Sequence, residues 1–132
     1  MTGQDRRNIA VVRRMYSGDE AERRNIAPDI VWHVPGHNPV SGDYHGFDEY
    51  TTLMPSRMAP LTRWDFTLDS VMVNGPYVVA TFRVQGERKG KTLDLRGAHI
   101  MRVNDQGQVV EGWNVDEIDP DVALEAHAPP GP

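Results

Sequence analysis

From Thr62 to Asp116 the chain alternates apolar and polar residues with a period of two, and this limits the fold more than any other feature. Trp64, Phe66 and Leu68 alternate with Arg63, Asp65, Thr67 and Asp69, and Val78, Ala80, Phe82 and Val84 are interleaved with Thr81, Arg83 and Gln85. Leu93, Leu95, Gly97, His99, Met101 and Val103 share one face of a third segment, and Gln108 to Asp116 makes a fourth. Alternation of this kind belongs to strands buried on one face. Asn74-Gly75, the polar run Gly86 to Gly90, and Asn104 to Gly107 supply the turns. The expectation is a meander of four antiparallel strands.

The first half reads differently. Gln4 to Tyr16 is an amphipathic helix, with Ile9, Val12 and Tyr16 at helical spacing and Val11 and Met15 beside them. Gly18 is placed to cap it, and Asp19, with Glu22 three residues on, starts a second short helix through Ile26 that stops before Pro28. Ile30 to Val34 has the β-branched and aromatic character of a buried strand. Gly36 to Gly46, rich in glycine and proline, is expected to be a loop carrying His37 and His45. Phe47, Tyr50, Met54, Met58 and Leu61 recur on one side of a third helix, which Pro55 should kink or break at Met54. Three helices ahead of a meander predict an α+β domain, a strongly curved, mostly antiparallel sheet wrapped around a helical layer. Such a sheet encloses a cone whose wide end is a pocket. The 132 residues are read as a single domain, 1–132, with residues 120–132 as a frayed tail.

Composition removes several function classes. A net charge of −5 argues against a nucleic-acid binder, which needs a basic face. The absence of cysteine excludes thiol catalysis, disulfides and thiolate metal sites. No window has the length and apolarity of a membrane span, so the expectation is a cytoplasmic protein, bacterial in character, with no membrane partner. His33, His37 and His45 match no established ligand spacing, and no metal or cofactor is expected.

The runs Met15-Tyr-Ser-Gly-Asp19, Ala27-Pro-Asp-Ile-Val-Trp-His-Val-Pro-Gly36, Ser41-Gly-Asp-Tyr-His-Gly46 and Gly107-Gln-Val-Val-Glu-Gly-Trp-Asn-Val-Asp116 together resemble the SnoaL-like branch of the nuclear-transport-factor-2-like superfamily. That group includes ketosteroid isomerases, polyketide cyclases and relatives of limonene-epoxide hydrolase. The resemblance implies the cone fold and a pocket for a small hydrophobic molecule. It also places His33 where the isomerases carry a general-base aspartate, and His99 where they carry a protonated aspartate donating to the oxyanion. Asn114 falls at the last-strand position of a cyclase aspartate. The isomerase tyrosine would fall near Val11, which argues against steroid isomerisation by the usual route.

The candidate catalytic residues are therefore His33 as base, His99 as acid or oxyanion donor, Asn114 as an orienting amide, and Asp116 at the rim holding a histidine tautomer. Strand alternation turns Trp32 to the face opposite His33, as packing. Gly97 leaves room for a ligand beside His99. Tyr16, Tyr50, Met54, Met58, Trp64, Phe82 and Met101 are expected to line the pocket. Two functions stay open: a cofactor-independent acid/base enzyme (isomerase, cyclase or hydrolase) on a small hydrophobic carbonyl or polyketide-like substrate, or a non-catalytic domain that sequesters an apolar ligand or serves as an accessory subunit. A homodimer is expected through the outer sheet face at Val79, Ile100 and Trp113, and light scattering showing a monomer would refute it.

Overall fold

Thr2 starts the first helix with a reciprocal pair of bonds. Its hydroxyl accepts from the Asp5 backbone N–H while the Asp5 carboxylate accepts from the Thr2 backbone N–H, a capping box that satisfies two orphan donors. The computed structural model describes residues 1–17, 24–58, 63–88 and 90–116. In chain order its elements are helix α1 (Gly3–Met15), strands β1 (Ile26–Val34) and β2 (Gly42–His45), a π turn (Glu49–Leu53) running into the single α turn α2 (Met54–Ser56), and strands β3 (Arg63–Asn74), β4 (Tyr77–Arg88), β5 (Lys91–Val103) and β6 (Val109–Asn114).

The six strands form one mixed sheet in the order β2-β1-β6-β5-β4-β3, antiparallel throughout except for the β1–β6 pair. The architecture is α+β, as the sequence predicts, with differences at the N-terminal end. The expected loop Gly36 to Gly46 contains β2, paired antiparallel with β1, which makes six strands rather than five. Among the described residues two helical stretches are delimited in full, and Arg24 and Asn25 are helical as well, at the end of the expected second helix. The expected second helix falls mostly on residues 18–23, outside the described residues, and β1 begins at Ile26 where that helix was expected to continue. The Gly18 cap, Leu61 and the 120–132 tail also lie outside them. The interruption expected at Met54 takes the form of the π turn giving way to α2 there, with Pro55, which has no N–H, in the first turn. No helix among the described residues is long and apolar enough to cross a membrane.

Side chains on the inner face make the core. Ile30, Trp32 and Val34 of β1, Tyr44 of β2, Val78 and Ala80 of β4, Met101 and Val103 of β5 and Val109 of β6 pack against Val11, Val12 and Met15 of α1. The register puts Trp32 beside Gly112, and Gly112 beside Met101. A Cβ added to Gly112 would stand 2.0 Å from the Trp32 ring, so the indole occupies the space that only a glycine leaves. Asn8 of α1 is buried and donates to the Gly75 carbonyl, tying the helix to the β3–β4 turn.

The opposite face carries one row across all six strands: Met72, Val79, Ile100, Trp113, His33 and Asp43. A bulge in β3 at Asp69 shifts the register between Leu68 and Ser70, which locally bends that strand.

Replacing Gly112 by alanine should destabilise the fold by about 3 kcal/mol, the upper range for overpacking a filled core. Urea denaturation measures it, and a loss no larger than that of an exposed glycine substitution would contradict this packing.

Candidate active site

The wide end of the sheet holds a cavity of about 260 Å³. Its wall is mainly apolar, formed by Trp32, Tyr50, Met54, Pro55, Met58, Trp64, Phe82, Val84 and Leu95, and its polar groups are His99, Asn114 and Asp116. Of the residues expected to line it, Tyr50, Met54, Met58, Trp64 and Phe82 do so, whereas Tyr16 and Met101 stand behind His99 and do not. Trp32, Pro55, Val84 and Leu95 were not singled out as lining from the sequence.

His33 requires correction. It is on the outer face, where Nδ1 is 2.7 Å from Asp43 Oδ1 and Nε2 is 2.7 Å from Glu111 Oε2, and its ring stacks on Trp113 at 5.5 Å. Trp32, expected to be turned away from the pocket, instead lines it. The reason is parity: Ile30, Trp32 and Val34 are each under 5% exposed, and burying this trio sends position 33 outward. An acid–base pair between His33 and His99 is therefore impossible, because the sheet separates them. Desolvation pulls the His33 pKa down, but the hydrogen bonds and charges of Glu111 and Asp43 outweigh it, so the net shift is upward.

His99 has a different environment. Tyr16, at the C-terminal cap of α1, puts its hydroxyl 2.6 Å from His99 Nδ1. The imidazole packs against Phe82 at 4.5 Å and meets the Trp32 ring edge-on at 5.0 Å. Burial lowers its pKa to about 4, so the ring is neutral at pH 7. Burial, with Tyr50 nearby, raises Tyr16 well above the usual phenol range, so the phenol is neutral too. A neutral phenol is the stronger donor and imidazole nitrogen the stronger acceptor, so the shared proton stays on Tyr16. The remaining ring proton is then on Nε2, which has no protein partner among the described residues. Tyr16, not Asp116, holds the tautomer.

Asn114 is oriented in the same way. Trp32 Nε1–H, which can only donate, lies 2.7 Å from Asn114 Oδ1. The amide oxygen is thereby committed, and the Asn114 NH₂ remains as a donor at the cavity wall. Asp116 supplies the one carboxylate among the described lining residues. Burial raises its pKa, offset in part by the backbone N–H groups of Asp116 and Ala98, and its Oδ1 is buried without a hydrogen-bond partner. Gly97 makes room for it: a Cβ there would be 2.7 Å from both Asp116 Oδ2 and the tip of Phe82. The space expected for a ligand over Gly97 is thus taken by the carboxylate. Two neutral donors and a carboxylate of raised pKa facing an apolar cavity can take a proton from carbon and stabilise negative charge on oxygen.

Residues 6–112 match the SnoaL-like domain family. An uncharacterized protein of Mycobacterium tuberculosis is 31% identical over 106 residues, covering 75% of this chain and 81% of that protein. A structure from Jannaschia sp. CCS1 described as a SnoaL-like polyketide cyclase superposes with a TM-score of 0.73 at 17% identity, over 86% of this chain and 88% of its own. An NTF2-like protein of unknown function from Burkholderia pseudomallei K96243 gives a TM-score of 0.66 at 21% identity, over 86% and 92% of the two chains. These likenesses show the NTF2-like α+β fold. Asn114 and Asp116 lie beyond the end of the family match, so what they do is argued from geometry alone.

The two histidines should act on stability in different pH windows. His99 takes its proton near 6.5 when unfolded but only near 4 when folded, so acidification through that interval favours the unfolded chain, by on the order of 3 kcal/mol in all. His33 has the opposite sign: its stabilisation is full below the ordinary histidine pKa and is lost as pH rises through its raised value. Denaturation of wild type and His99→Gln between pH 7 and pH 4 tests this (about 2 kcal/mol or more of slope removed by the variant supports it, an unchanged slope contradicts it).

Proposed function

The chain belongs to the SnoaL-like family, and we propose that it is a cofactor-independent acid/base enzyme acting on a small, hydrophobic carbonyl or polyketide-like compound. The observation that supports this best is the buried Asp116 oxygen without a hydrogen-bond partner, set in a cavity whose other polar groups are neutral donors. An engineered cavity of about 150 Å³ in another protein holds benzene, and at about 260 Å³ this one suits a molecule of one or two rings.

In this reading Asp116 takes a proton from the carbon next to a bound carbonyl. The C–H electron pair becomes the enolate C=C bond, and the carbonyl π pair moves onto oxygen. His99 Nε2–H and the Asn114 NH₂ donate to that oxygen, with Tyr16 and Trp32 holding each donor in position. Neutral donors suit this step, since they stabilise the developing charge without protonating it prematurely. Asp116 then returns a proton to carbon as the oxygen pair re-forms the carbonyl, or the enolate carbon bonds to a second carbonyl carbon, whose π pair moves onto its own oxygen and takes the proton from Asp116. The base is Asp116 rather than His33. The expected homodimer belongs to the same proposal, through the outer row of Met72, Val79, Ile100 and Trp113.

Hydrogen–deuterium exchange at C1 of 2-tetralone in D₂O, followed by NMR, tests the reading, with 2-naphthol as an inert mimic of its enol. Wild type should accelerate exchange, 2-naphthol should inhibit it, and Asp116→Asn should lower it by about 10²–10⁴. Binding of 2-naphthol without any exchange would instead make the cone a ligand-holding domain.

A further inference from the structure

Asp116 faces more than the cavity. It also lines a second cleft, of about 430 Å³, shared with Asp69, Thr81, Arg96, Gly97, Ala98 and Val115. Phe82 and Asp116 are common to the two spaces. Three features of the fold produce this arrangement. The β3 bulge places Asp69 out of register, and Thr81 donates to its carboxylate at 3.4 Å, which opens the sheet surface at that point. Gly97 has no side chain to fill the gap between strand and carboxylate. Beyond β6 the chain is held to β5 by the Val115 N–H bonding the Ala98 carbonyl, and this carries Asp116 across the end of the sheet.

The two spaces differ in chemistry. The cavity wall is aromatic and aliphatic, and Trp32 there is almost wholly buried. In the cleft, Asp69, Arg96 and Val115 are exposed, so that wall is wet. A ligand in the cavity covers one side of the carboxylate and leaves the cleft side to solvent.

We propose that Asp116 is the partition between a ligand compartment and a solvent compartment, and that it exchanges its proton with bulk water through the outer cleft while ligand fills the cavity. The proposal builds on the reading of Asp116 as base and adds the fate of the proton. A proton removed from substrate carbon leaves through the cleft, and the one returned comes from solvent, so that hydrogen is not conserved between substrate and product. Thr81 and Ala98, paired on adjacent strands, are the residues whose size controls this route.

The test needs no turnover. Asp116 is labelled with a water-soluble carbodiimide and glycinamide, and the modified peptide is quantified by mass spectrometry in wild type, Ala98→Phe and Leu95→Phe. Ala98→Phe fills the cleft, whereas Leu95→Phe narrows the cavity only. Labelling at Asp116 should be lost in Ala98→Phe and kept in Leu95→Phe, and Thr81→Tyr, which blocks the cleft from the neighbouring strand, should repeat the loss if Ala98→Phe does not fold. Labelling kept by the cleft variants and lost in Leu95→Phe would overturn the proposal. Since the readout is chemical access, it fails or succeeds independently of tetralone exchange: lost exchange with cleft-dependent labelling refutes the enzyme and keeps the route.

Discussion

Much of this structure follows from one contact, the Trp32 indole lying where a side chain on Gly112 would be. Burying an aromatic ring of this size stabilises by several kcal/mol, judged by the cost of about 3–5 for truncating one. A surface ion pair contributes about 0.2–1 kcal/mol. Between these magnitudes the parity of β1 is decided. Trp32 goes inward with Ile30 and Val34, and His33 goes outward to Asp43 and Glu111 whatever its chemistry would favour. The same ring, through Nε1, commits the Asn114 oxygen and leaves that amide as a donor. One packing decision thus joins β1 to β6 and orients a polar group in the cavity.

A second theme is that burial shifts the titratable groups around the cavity toward their neutral forms. Burial lowers His99 and raises Tyr16 and Asp116, each toward its neutral form, because a charge in an apolar wall lacks the hydration it has in water. The outer face does the reverse. There Glu111 and Asp43 shift His33 toward its charged form, and Arg102 pairs with Glu111, in partial contact with solvent. Two histidines of one sheet are therefore shifted in opposite directions, one toward a neutral donor fixed by a phenol, the other toward its charged form by neighbouring carboxylates.

The meander was legible in the sequence because alternation with period two is imposed locally, residue by residue, and Asn74-Gly75 marks a turn where Gly75 adopts a positive φ of 59°. Strand β2 was not, since Gly42 to His45 is polar and its pairing with β1 is a tertiary fact. His99 and Asn114 were named through the family resemblance and Asp116 through sharing a face with Asn114, since parity alone does not say which face of the last strand turns inward. The resemblance puts His33 at a general-base position, but the parity of Ile30, Trp32 and Val34 sends it outward, and that parity is the signal that points to Trp32. The Tyr16–His99 pair links residues 83 apart in sequence, and no local pattern encodes it.

The central claim is that His99 is a neutral imidazole with its proton on Nε2, held so by the Tyr16 hydroxyl, beside a carboxylate that can act as base. Long-range ¹⁵N–¹H correlation spectra of histidine-labelled protein at pH 7 read this directly. The account predicts a protonated-type Nε2 and a hydrogen-bonded, pyridine-type Nδ1 for His99, with the Nδ1 resonance moving in Tyr16→Phe. A proton on Nδ1, or a charged ring at that pH, would contradict it.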